Sequence, residues 1–407
     1  MTAIFAMWNK YGFALAGDSN ASVGPGGKPD WVDPVEKVFK VDGHQIAFAA
    51  SGAAAIDGVE VNELVREWQQ QLAGEKPTLE EYVEDFLLWF YKQELPFRYN
   101  SDDPEILQTY LEELRDRTEF ANVQNMARDE IVQIWYDEIA PKSVYLWEIN
   151  VFGRNFSAFD ANEELSEEER VITDFASDIQ RKINESENQN SREYQFMEAA
   201  KKNAVEVFPF VFGVEYDDES EWQSSVLELY YLWIENTWLQ IAGEMGSEAK
   251  FLFMGYGSTD WIPKAVVLHV FNSYCRIPQV GVFRITSPET AWYLSLAVDI
   301  ATDQLIHGYN EGNFQEIDQV AQPHLKKGHA EEFLGDLRGV SRQKIHETLK
   351  KMERLTVERL EFLARSMVQL ESLRSYLDQP LPGVGGDIQV VTMTKSKSTV
   401  KVYPEFS

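Results

Sequence analysis

Hydrophobic and polar positions along the 407-residue chain fall into three regimes. At the start, Ala3–Trp8 is wholly apolar, Asn9-Lys10-Tyr11-Gly12 has turn character, and Phe13–Gly17 is apolar again. Two short apolar runs around a polar turn predict a tight hairpin of buried strands. A second hairpin is expected from Val35–Val41 and Gln45–Ala50, which flank Asp42-Gly43, a dipeptide suited to a two-residue turn. The VGPGGKPDW stretch between the hairpins reads as a loop.

From Val59 to about Met245 the spacing becomes helical, with apolar residues three and four apart in VNELVREWQQQL, LEEYVEDFLLWFY, ILQTYLEEL and SSVLELYYLWIENTWL. The region is interrupted near 143–160 by one or two expected strands, and KINESENQNSRE is polar enough for an exposed connection. Strand patterns return at Phe251–Met254, Ala265–Phe271 and Val280–Ile285. Helices are expected over Ala291–His307 and Arg342–Leu377, then strands over Ile388–Thr394 and Thr399–Tyr403. The pattern divides the chain into 1–58, a helical insertion over 59–245, and 246–407. Strands at both ends with helices between them predict an α+β fold in which the termini supply a sheet's outer strands, covered by helices.

Composition narrows the functional classes. A formal net charge of −30 repels nucleic acid and anionic membranes, so neither is expected as a partner. The single cysteine, Cys275, lies in an apolar stretch and reads as a buried structural thiol. No run of about 18 apolar residues appears, and the start of the chain lacks a secretory signal's basic flank, so a cytoplasmic protein is expected.

Chemistry concentrates in the two hairpins. Pairing about Lys10-Tyr11 sets Asp18 beside Thr2 and Ala3. In the second hairpin Val35, Lys37, Phe39 and Val41 share a face, so Lys37 is a charge on an apolar stripe and asks for an anionic partner. Pairing about Asp42-Gly43 sets Lys37 opposite Phe48 or Ala49, with the Ser51-Gly52 backbone at the same end.

The segments TAIFAMWNKYGFALAGDS, VEKVFKVDGHQIAFAASGAAA and VGGDIQVVTM together resemble the catalytic-type subunits of the proteasome and their simpler bacterial relatives, N-terminal-nucleophile (Ntn) hydrolases. The match covers roughly the first 60 residues and, more loosely, the last 30 or so. The resemblance implies a four-layer α/β/β/α sandwich carrying a large helical insertion. It also implies Thr2 as nucleophile after loss of Met1, Asp18 and Lys37 as its charged partners, and backbone N–H groups of Ser51 or Gly52 as the oxyanion hole. Where that family carries hydroxyl and carboxylate groups supporting the terminal amine, this chain has Tyr256, Leu381 and Val384; Tyr256 and Ser258 remain as possible support.

The chemistry is self-consistent. A threonine hydroxyl is a weak nucleophile, and a free α-amine with a pKa near ~8 can take its proton at neutral pH. No cofactor or metal is called for. The expected partners are a peptide or amide substrate and a second copy of the chain, in a small symmetric oligomer with a dimer favoured. Two other classes compete: a non-catalytic relative that keeps the fold, and a small-molecule amidase or acylase.

Other motifs read more plainly. Gly24–Gly27 lacks the Lys-Ser/Thr ending of a phosphate loop, His324 and His329 have no third ligand at metal-site spacing, and Asp33 and Glu36 read as solvated. Lys37, placed for charge and not for packing, is expected to cost little stability when removed. Threonine is small enough for methionine aminopeptidase, so N-terminal sequencing of the native protein is expected to begin at Thr2; a chain that is mostly Met1 in active material overturns the amine as base.

Overall fold

The computed structural model describes residues 2–23, 31–93, 95, 149–150, 167–186, 248–274, 277–286, 291–297, 300–306, 329–378 and 383–405, with isolated positions between 202 and 224. ILQTYLEEL, Leu381, Cys275, Gly24–Gly27 and His324 lie outside them.

The described residues form a mixed α+β fold with antiparallel sheets. The first hairpin is β1 (Ala3–Asn9) and β2 (Gly12–Asp18), and the chain's last is β14 (Ile388–Met393) and β15 (Ser398–Tyr403). With β13 (Trp292–Ala297) they form a five-stranded sheet in the order β13-β1-β2-β14-β15. The N-terminal hairpin is therefore interior, not an outer pair. Every residue of β1 and β2 is buried, which suits strands covered on both faces and flanked on both sides.

The second sheet has six strands in the order β5-β6-β10-β11-β12-β9. Its members are β5 (Val38–Lys40), β6 (Ile46–Gly52), β9 (Ile149–Asn150), β10 (Ala249–Gly255), β11 (Lys264–Tyr274) and β12 (Ile277–Ile285). Two small ribbons complete the strands, β3 (Asn20–Val23) with β4 (Trp31–Pro34) and β7 (Ala55–Ile56) with β8 (Val59–Glu60).

Period-two alternation sorts each strand's side chains between two apolar clusters. Ile4, Ala6, Trp8, Phe13 and Leu15 of the first sheet meet Ala47, Ala49, Leu252, Met254 and Val267 of the second in one cluster. The opposite face of the first sheet, through Ala3, Phe5, Met7, Ala14 and Ala16, packs on Leu360, Ala364, Met367 and Val368 of a helix, Val357–Asp378. The outer face of the second sheet packs on α1 (Val61–Gln71), α2 (Leu79–Lys92) and α3 (Glu167–Ser186). Thr78 caps α2 by accepting from the Glu81 N–H at 3.3 Å, as its Thr-x-x-Glu start invites.

Two expected helices are built differently. The span Ala291–His307 divides into β13 and a short helix, α4 (Ile300–Ile306), with Ala297 between them at a φ of 99°. Pairing with β1 across Ala3↔Ala297 through Trp8↔Trp292 outweighs the helical spacing there. The span Arg342–Leu377 is two helices, α5 (His329–Met352) and α6 (Val357–Asp378). Asn9 explains the break: its buried Nδ2 donates to the carbonyls of Met352 at 2.8 Å and Leu355 at 2.9 Å, taking up groups that a continuing helix would use internally.

The second sheet's helical face centres on Phe253, fully buried, with ring centroids 4.9 Å from Phe48, 5.2 Å from Phe86 and 5.7 Å from Trp68. Phe253→Ala is expected to lower unfolding free energy by about 3–5 kcal/mol, read as a shift of the urea midpoint with unchanged slope. A change under about 1 kcal/mol would show that this contact is not part of the core.

Candidate functional site

Four chain segments end together at one edge of the paired sheets: the start of β1, the end of β2, the Val384-Gly385-Gly386 approach to β14, and the residue preceding β5. The β1–β2 register runs Asn9↔Gly12 to Ile4↔Gly17, which sets Ala3 opposite Asp18, as the Lys10-Tyr11 turn implies. The Ala3 N–H donates to Asp18 Oδ1 at 2.8 Å. Lys37 Nζ donates to the same oxygen at 2.9 Å and also to the Asn20 carbonyl. Asp18 Oδ2 accepts the Gly385 N–H at 3.2 Å.

Asp18 and Lys37 are thus brought together, one residue from Thr2, which is half-buried. Their side chains are 0% and 7% exposed. Burial pushes the Asp18 carboxyl above its ordinary range, against the Lys37 charge and the Ala3 and Gly385 N–H groups. The same burial pulls the Lys37 ammonium below the ordinary lysine range, against the charge of Asp18.

The second hairpin differs in register from expectation. Val38 pairs with Ala49, and Val41 donates to the Ile46 carbonyl at 3.1 Å, so the loop spans Asp42 to Gln45 and Lys37 faces Ala50, not Phe48 or Ala49. Gly43 does take the positive φ, 79°. Lys37 precedes β5, so strand alternation does not send its amine to the helical face with Phe39 and Val41; it crosses to the other sheet instead.

Ser51 and Gly52 close β6 at the same edge. Ala50 donates its N–H to the Lys37 carbonyl at 3.0 Å, and two residues on the Gly52 N–H takes the same side, past the point where the chain before Lys37 turns toward Ser19. Gly52 has a φ of 89° and lies against the Glu248 carbonyl, which together exclude a side chain. Ser51 is buried and shares the between-sheet face of Ala47 and Ala49; its Oγ has no hydrogen-bond partner among the described residues.

Tyr256 and Ser258 stand elsewhere. Tyr256 follows β10 at the end opposite Gly52, packs on Phe13 at 6.4 Å between centroids, and has its phenol pushed up by burial. Ser258 donates its N–H to the Lys76 carbonyl at 2.8 Å, while Lys395 Nζ holds the Gly257 and Ser258 carbonyls at 2.7 and 2.9 Å. This segment clamps the start of α2 and gives the Thr2 end no support.

Sequence reasoning missed the backbone groups of Asn20 and Gly385, and Ser375 of α6, whose Oγ accepts the Val384 N–H at 3.2 Å. The Gly-Gly pair was their one visible signal. Gly386 has a φ of 78°, and a Cβ there would stand 2.5 Å from Asn20 Oδ1 and 2.6 Å from Ser19 Oγ.

No protein-family model matches the chain, and no curated protein matches it in sequence. Among solved structures it is similar to a mutant of Anbu from Hyphomicrobium sp. strain MC1, at 9% identity over 99% of this chain and 88% of that one, with a TM-score of 0.29. A likeness at that score does not place the chain in that protein's family. Among the described residues, no helix is long and apolar enough to cross a membrane and no three His, Cys, Asp or Glu side chains gather as a metal site.

The burial of the pair corrects the expectation of a small stability cost at Lys37. Removing the ammonium leaves Asp18 charged in a dry site, and Lys37→Met is expected to cost about 3–5 kcal/mol. Adding Asp18→Asn should return more than half of that, read by a double-mutant cycle in urea; additive costs would show that the two charges are not coupled.

Proposed function

We propose that the chain is an N-terminal threonine hydrolase that cleaves amide bonds, most naturally in peptides, through an acyl-threonine intermediate. The observation that carries the reading is the Asp18 Oδ1 shared by Lys37 Nζ and the Ala3 N–H, which holds a buried cation one residue from Thr2. The finer architecture belongs to the same proposal: a four-layer α/β/β/α sandwich of the Ntn type. It is supported by one apolar cluster between the sheets and helices packed on each outer face.

Strand alternation sends the side chain of Thr2 to the between-sheet face, with Ile4 and Ala6, which is the side from which Lys37 approaches. Thr2 Oγ1 attacks the substrate carbonyl carbon while the free α-amine takes the hydroxyl proton. The Lys37 charge favours the developing oxyanionic character of Oγ1, and Asp18 holds Lys37 in place. The Gly52 N–H donates to the tetrahedral oxygen, a contact worth about 3–4 kcal/mol in comparable sites. The C–N bond then breaks, the leaving nitrogen takes the proton from the amine, and the acyl group stays on Oγ1. Water attacks that ester, releasing the acid and restoring the hydroxyl.

A small symmetric homo-oligomer, a dimer before a larger ring, is part of the proposal on grounds of charge, since strongly acidic surfaces resist dry contact with one another. The competing reading, a non-catalytic protein on this scaffold, draws on Val384, an apolar residue at the approach to β14 where the resemblance implies a polar group.

Intact-mass measurement after incubation with a β-lactone or epoxyketone decides between them. A single adduct mapping to Thr2, lost in Thr2→Ala, is expected; a chain that begins at Thr2 and forms no adduct would sink the hydrolase.

A further inference from the structure

The amine that acts as base needs an acceptor to hold it. We infer that Glu371 supplies one, as a positioning residue for the α-amine of Thr2 in the mature chain; this rests on the N-terminal-nucleophile reading.

The direction of the amine follows from the ladder. Ala3 points its N–H toward β2, where Asp18 takes it, so the nitrogen of Thr2 points the opposite way, to the β13 side past Ala297. Beyond Ala297 the chain enters α4, and there Glu371 Oε1 accepts the Thr302 N–H at 2.8 Å. Glu371 therefore stands on the side to which the amine points.

Its height also fits. Val357, at the start of α6, lies against Gly12, and Ser375, near its end, holds the Val384 N–H, so α6 runs along β2 toward the Asp18 edge. From Val357 to Glu371 the helix rises about 21 Å, and from Gly12 to Asp18 the strand advances about 20 Å. Glu371 is level with Ala3 and Asp18.

The third observation is chemical. Glu371 is 1% exposed, and its Oε2 has no hydrogen-bond partner among the described residues. A carboxylate oxygen is seldom buried without a donor, because it forfeits its hydration. An amine bearing two or three N–H groups is a donor that the mature chain itself brings to this place. Other charged side chains around this edge, among the described residues, include Asp18 and Lys37 between the sheets, Glu36 before Lys37, Arg374 on α6, Asp387 at the approach to β14, and Glu405, whose Oε1 lies beside Gly385.

The test uses the full-length protein released from a cleavable fusion so that Thr2 is its first residue. The acetylation rate of its α-amine by acetic anhydride is followed across the neutral range, and the midpoint of the profile reports protonation of the amine. Glu371→Gln keeps a carbonyl oxygen for the Thr302 N–H but removes the charge, and is expected to move the midpoint down by about one pH unit with the urea midpoint nearly unchanged. Glu371→Asp, which draws the carboxylate back, should give a smaller shift in the same direction and serves if the Gln variant does not fold. An unmoved midpoint in the folded variant overturns the assignment. β-Lactone labelling is read in parallel. A shifted midpoint with no labelling of the parent upholds the contact and sinks the hydrolase, whereas labelling with no shift does the reverse.

Discussion

Everything at the functional edge depends on one carboxylate that has been taken out of water. Asp18 is fully buried, and the cost of desolvating it is offset in part by Lys37 on one oxygen with the Ala3 N–H, and by the Gly385 N–H on the other. Those contacts come from the N-terminal hairpin, from the segment before β5 and from the approach to β14. Regions nearly 370 residues apart in the chain therefore share one set of charge-assisted hydrogen bonds. A hydrophobic replacement of similar volume would often be as stable or more so, which makes the pair's position hard to account for by stability alone.

Close approach of the two sheets is the companion requirement. Gly17 lies on the between-sheet face, and a Cβ there would come 2.7 Å from Val38 Cγ2, so the absent side chain lets β5 draw near β2. That contact is what allows Lys37, at the mouth of β5, to reach a carboxylate in the other sheet. On the far side Gly386 does similar work with a φ of 78°, letting the chain turn against Ser19 and Asn20 before entering β14. Wider spacing would leave a lysine and an aspartate each hydrated and apart.

The first hairpin was readable from sequence because its apolar runs and its turn agree on one register, and that register alone carries Asp18 to Ala3. Asp42-Gly43 misled by a residue or two, since the loop uses His44 and Gln45 as well and local turn chemistry does not specify its length. Ala291–His307 and Arg342–Leu377 were misread for a different reason. Their boundaries are set by partners remote in sequence, β1 for the strand and Asn9 for the helix break, and no local periodicity reports those. Tyr256, named by resemblance as support for the amine, follows β10 at the end opposite Gly52, which only the β6–β10 register reveals.

The two ends of the first sheet treat buried polar groups in opposite ways, and the contrast bears on α6. At the turn end, Asn9 is fully buried, donates to the carbonyls of Met352 and Leu355 at the break and accepts the Tyr11 N–H, so its polarity is spent on shaping the helix break. Along α6 the buried positions are Leu360, Glu361, Ala364, Met367 and Val368, apolar but for Glu361, and then Glu371, Ser372 and Ser375 as the helix reaches the Asp18 edge. Packing against β1 and β2 explains the apolar half completely. It does not explain the polar positions near the Asp18 edge, where Ser372 Oγ and Glu371 Oε2 are buried without partners among the described residues and each costs stability that an alanine or leucine would not. Glu361, the buried carboxylate at the other end of the helix, has both oxygens on Lys401, whereas Glu371 Oε2 sits without a donor among the described residues, so the two ends of α6 bury charge on different terms.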